Sequence, residues 1–190
     1  YSFESSLRTS ALSAAAVAYL YTSGVPKFRW LAAALVGWTA MQAAEMVLWA
    51  TEPRRGCTEL NRIITLCVIP LVLMGQGLGS AWGVLWVTPW AKLPEASRRF
   101  LLAYTALVVA VVAVSHFGNI AHECTRVTAQ GHLNWSTRTE GMAGLPSWAL
   151  VGGFAAILGL PLLVLWKPRW EVLWLCFVPA LGAIYGLHTD

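Results

Sequence analysis

One glutamate stands inside a run of residues that would otherwise dissolve in lipid. Between Trp30 and Ala50 the strongly polar side chains are Gln42 and Glu45. A carboxylate at that depth costs on the order of 3 kcal/mol on insertion scales, so it calls for a cation, a cavity or a proton. Trp38, Gln42, Glu45 and Trp49 are spaced to share one helix face. With a helical rise of about 1.5 Å, Glu45 lies roughly 8 Å past the middle of its run. His116 lies about 9 Å past the middle of a later run that emerges on the same side, and Asn119 shares its face. Arg8 enters the first apolar run at a comparable depth. An intramembrane cluster of Arg8, Gln42, Glu45, His116 and Asn119 could serve a small transporter or channel as a polar, proton-accessible layer. It could equally be an Arg8–Glu45 pair that cements a bundle, with His116 hydrogen-bonded nearby.

A second chemistry is ligation of a tetrapyrrole. One axial histidine suffices for haem, and chlorophyll magnesium accepts His, Gln, Asn or Glu. His116, Gln76 and Glu45 are the residues able to do this. No Cys-x-x-Cys-His for covalent haem occurs. His116, His122, Glu123, Cys124 and His132 are metal-ligand types, but their spacing fits no metal motif, and no metal site is expected. Catalysis has little to work with. Ser115 and His116 are helix neighbours that point apart, no nucleophile elbow occurs, and Asp190 is the single aspartate. A membrane-embedded enzyme is therefore the third functional reading, after a subunit and a transporter.

The elements that must position these groups are legible from composition. Of 190 residues, 57% are hydrophobic and 12% charged; soluble domains carry about 25% charged residues. The apolar residues form long blocks, which predicts an all-α, polytopic transmembrane helical bundle in one integral membrane domain over 1–190. About six spans are expected, near Ser6–Tyr21, Trp30–Ala50, Arg62–Trp86, Phe100–Ile120, Ser147–Trp166 and Trp170–Leu187. The Ala-rich run after Arg8 is read as a retained helix, not a signal peptide. Pro70 should kink the third span. Gly75, Gly79 and Gly83 should give it a flat ridge for a neighbouring helix, as Ser6, Ser10, Ala14 and Ala18 should in the first. Trp30, Trp49, Trp86, Trp90, Trp148, Trp166 and Trp170 fall near span ends, as interfacial belts do. The net charge of +4 sits in short connections with no basic run, so nucleic acid is not an expected partner.

Six spans put both termini on one side. All three lysines, Lys27, Lys92 and Lys167, lie on the other, which places the termini on the non-cytosolic (luminal or extracellular) side. Cys67 and Cys176 fall within spans as packing thiols. Cys57 and Cys124 follow the second and fourth spans, which run in the same direction, so both emerge together and form the candidate disulfide.

Ser2-Phe3-Glu4-x-Ser6, with Trp38-x3-Gln42-x2-Glu45-x3-Trp49 in the second span, resembles an uncharacterised multi-pass membrane protein family found in protists, algae, large viruses and some bacteria. The resemblance covers the first quarter of the chain. It implies that Glu4, Gln42 and Glu45 form a shared polar core, and it brings no activity. The function expected from the whole is a non-catalytic accessory or scaffold subunit of a larger membrane protein complex. Its partners would be the bilayer and other membrane subunits, with lipid or chlorophyll-like pigment between its helices.

Overall fold

The computed structural model describes residues 2–117, 123–128, 131–135 and 157–165. The chain is mostly helical. Helix α1 (Phe3–Thr22) starts at Ser2, whose side chain accepts from the Ser5 N–H. A short turn through Gly24, at φ +77°, returns the chain into α2 (Pro26–Ala50). Pro26 opens α2 because the first turn has no use for its missing N–H. Helix α3 (Glu59–Trp86) begins after Thr58, whose hydroxyl accepts from the Asn61 N–H at 3.2 Å. Helix α4 (Glu95–Phe117) follows a short connection. Strands β1 (Arg126–Val127) and β2 (Leu133–Asn134) pair as a small antiparallel hairpin, with Arg126 opposite Asn134. Residues 157–165 are helical.

Three helical stretches, Pro26–Ala50, Glu59–Trp86 and Glu95–Val114, are long and apolar enough to cross a membrane. The expectation of six spans is not carried by the described residues. α1 has the length, but its Ser, Thr and Tyr content leaves it outside that class. Ser147–Trp166 is described only over 157–165, and Trp170–Leu187 lies outside the described residues. The hairpin is also a small departure from an all-α chain.

α2 packs against α1 and α3, and α3 packs in turn against α2 and α4. Its contact with α2 is a backbone approach. A Cβ placed on Gly37 would lie 2.5 Å from the Gln76 nitrogen, and one on Gly79 would lie 2.5 Å from the Ala33 carbonyl oxygen. Gly83 makes room for the Trp30 ring, whose Nε1 donates to the Ser80 carbonyl at 2.7 Å. Trp30 is therefore a core residue and not part of an interfacial belt. Gly75, the first residue of the expected ridge, has open space where a Cβ would be. On the other side Trp82 Nε1 donates to Thr105 Oγ1, and Leu101, Tyr104 and Val108 bury one face of α4. The Tyr104 hydroxyl donates to the Ile157 carbonyl at 2.6 Å, which ties in the 157–165 helix.

The hydrogen-bond ladder of α3 changes just before Pro70. A proline ring crowds the carbonyl four residues earlier and cannot donate to it. The chain answers with a π-helical stretch at Ile64–Val68, where the Ile69 N–H reaches back to the Ile64 carbonyl. Such a bulge is a common way to absorb a proline-induced mismatch.

Candidate functional site

The densest polar chemistry lies at the head of α3, just before that bulge. Asn61 and Thr65 are one turn apart, so they share a face, and both are fully buried. The 123–128 segment runs back across them. The Thr125 N–H donates to Asn61 Oδ1 at 2.8 Å and to Thr65 Oγ1 at 3.0 Å, while Asn61 Nδ2 donates to the Thr125 carbonyl at 3.1 Å. The asparagine amide thus pairs with both backbone groups of Thr125, as a neighbouring strand would. The Thr65 and Thr125 hydroxyls lie 2.8 Å apart, and Thr65 also donates to Asn61 Oδ1 at 3.1 Å. The buried His116 ring reaches the Thr65 backbone from α4. Buried polar groups must be satisfied internally, and Asn61, Thr65 and Thr125 do so by mutual bonding.

Two further ties surround the knot. Cys57 and Cys124 form a disulfide with Cα atoms 5.7 Å apart. Arg62 Nε pairs with Glu123 Oε2 at 3.0 Å and its guanidinium also meets Glu59 at 3.6 Å. The sequence carries only a faint mark of Asn61, Thr65 and Thr125. The dipeptide Cys-Thr occurs at Cys57-Thr58 and again at Cys124-Thr125, and Asn61 and Thr65 are spaced one turn apart at the head of an apolar helix.

Glu45 is half-buried on α2 and lines a cavity of about 100 Å³ with Trp49, His132 and Leu133. The hairpin therefore covers it. The Trp49 Nε1 is buried with no hydrogen-bond partner among the described residues. Gln42 is half-buried on the same helix, whereas Trp38 points outward. The register of α2 on α3 carries Glu45 to the level of Val68, about one turn from the level of Thr65 and His116.

Arg8 does not join this layer. It is 80% exposed and pairs with Glu4, itself 79% exposed, at 3.7 Å. The reason is rotational. α1 turns Ser6, Ser10, Ser13, Val17 and Leu20 inward, and a residue two positions from Ser6 lies about 200° around the helix. The same geometry puts Glu4 outside the polar core that the resemblance implied. It also leaves Ala14 and Ala18, expected on the contact stripe, exposed. Cys67, expected as a packing thiol, is exposed on α3. Asn119, His122 and Cys176 lie outside the described residues.

The candidate pigment ligands are not brought to one place. Gln76 is buried where α2 and α3 meet backbone to backbone, which leaves no space for a macrocycle between those helices. The cavity at Glu45 is well below the roughly 300–1,000 Å³ of small-molecule sites. His116 is turned to Thr65. No family model, curated protein or solved structure matches this chain.

Proposed function

We propose that this chain is a non-catalytic accessory or scaffold subunit of a larger membrane protein complex. It is an integral membrane bundle of about six spans with its termini on the non-cytosolic side, and lipid fills its outer grooves. The observation that carries this reading is where the polar groups are spent. Asn61, Thr65, Thr125 and His116 serve internal hydrogen bonds, and Arg8 answers Glu4. The outer faces meanwhile present Leu12, Leu71, Leu102 and Val114. A disulfide at the Cys57 end supports the orientation, because disulfides persist in oxidising compartments. Extraction in mild detergent followed by light scattering tests it: the chain should run in an assembly larger than itself. A single-chain particle under every mild condition would sink the proposal.

One observation favours a second reading, a small transporter or channel. Glu45 and His132 line a cavity, and an intramembrane carboxylate beside a cavity is a common ion-path feature. Proton or cation flux into proteoliposomes, abolished by Glu45→Gln in protein that still folds, would select that reading over the first.

A further inference from the structure

We infer that the cleft between the two segments joined by the disulfide binds a phosphate group, presented either by an anionic lipid headgroup or by a soluble phosphate ester. The cleft encloses about 640 Å³. One wall is the loop that carries Arg54, Arg55 and Cys57; the other is the strand segment that carries Cys124 and Arg126. The Cys57–Cys124 bond joins the two walls, so their spacing is fixed before any ligand arrives. Gly56, at φ +148°, curls the first wall, and a Cβ added there would meet nothing within 4 Å.

The charge balance of the cleft is one-sided. Its lining holds three arginines and no acid. The acids nearest in sequence are already engaged: Glu52 pairs with Arg55 at 2.6 Å, while Glu59 and Glu123 both pair with Arg62. Arg54 and Arg126 hold no ion pair among the described residues. Arg54 and Arg126, from opposite walls, each carry a planar guanidinium able to present paired N–H donors to the oxygens of a tetrahedral phosphate. The location fits as well. The cleft lies where α2 ends at Ala50 and α3 begins at Glu59. If those helices span a bilayer, that is the level of its headgroups.

The test uses the full chain in a neutral detergent, with two probes. Inorganic phosphate is titrated by calorimetry, and retention of phosphatidylglycerol against phosphatidylcholine is read by native mass spectrometry. The variants are Arg54→Gln with Arg126→Gln, and the charge-matched pair Lys92→Gln with Arg99→Gln at the other end of the bundle. Wild type and the second pair should bind at least one probe. The first pair should bind it at least tenfold more weakly, which is the scale of one charged hydrogen bond. Retention of phosphatidylglycerol without phosphate binding assigns the headgroup as the source; phosphate binding assigns a soluble ester. Failure of both probes on wild type, or equal weakening by the two variant pairs, overturns the inference.

Discussion

The α2–α3 contact and the junction of the 123–128 segment with the head of α3 hold the same helix by opposite means. Along α2, apart from the Trp30–Ser80 hydrogen bond, the tie is absence of side chain: Gly37 and Gly79 let two backbones approach until no Cβ would fit. At the head of α3 the tie is side-chain chemistry: an amide, two hydroxyls, an ion pair and a disulfide pull in an otherwise irregular segment. The difference follows from what is being attached. A helix satisfies its own backbone and needs only shape from its neighbour. A loop brings unpaired N–H and C=O groups, and burying Thr125 requires partners for both.

The largest expected effect lies on the loop side. Replacing Cys57 and Cys124 with serine releases a loop with a sequence separation of 67. Chain-entropy reasoning puts the loss at about 4 kcal/mol. Thermal unfolding in detergent should show it, with and without reductant. An unchanged midpoint would mean that the bond does not constrain the unfolded chain.

The next effect breaks the helix side. Gly37→Val should destabilise by about 3 kcal/mol, because its first added atom meets Gln76 backbone, which cannot rotate away. Gly75→Ala is the control. Open space surrounds that position, so the change should stay within about 0.5 kcal/mol. Equal sensitivity at the two positions would contradict the packing described.

A smaller loss is expected from Asn61→Leu, about 2 kcal/mol, since the Thr125 carbonyl loses its donor while the Thr125 N–H keeps Thr65. Hydrogen exchange at Thr125 should accelerate while exchange in α2 does not. If protection in α2 falls equally, the two regions unfold as one unit and the contrast between them is kinetic fiction.

How much of this could be read from the sequence differs between the same two regions. The long apolar helices and the glycine-rich surface of α3 follow from periodicity and spacing, whereas the level expected to be shared by Glu45 and His116 is offset by about one turn. Periodicity could not say which glycines touch. Gly79 and Gly83 do and Gly75 does not, because the facing residue Gly37 sits on another helix, where no spacing rule within α3 reaches. The knot was harder. Cys57 and Cys124 could be matched by direction of travel, but Asn61, Thr65 and Thr125 are ordinary polar residues until a loop is laid over them. Arg8 departs from the expected layer for a simpler reason: spacing fixes its depth along α1, but its rotation about α1, two residues from the inward Ser6, turns it outward.

Arg8 therefore supplies the smallest and most discriminating prediction. Two placements of its guanidinium make different demands. A buried Arg8–Glu45 pair, broken at one end, would leave a carboxylate uncompensated at membrane depth and cost roughly 3–5 kcal/mol. An exposed pair with Glu4, spaced one helical turn away, is worth no more than about 0.5 kcal/mol. Arg8→Ala should accordingly leave the unfolding midpoint within error of wild type, and Glu4→Gln should do the same. The Arg8→Ala and Glu45→Gln double variant should behave as the sum of its parts, since residues without shared partners rarely couple. A loss of several kcal/mol from Arg8→Ala alone, rescued by Glu45→Gln, would return Arg8 to the interior and turn α1 about its axis. It would also put an ion pair beside Glu45 in place of the hairpin-covered cavity.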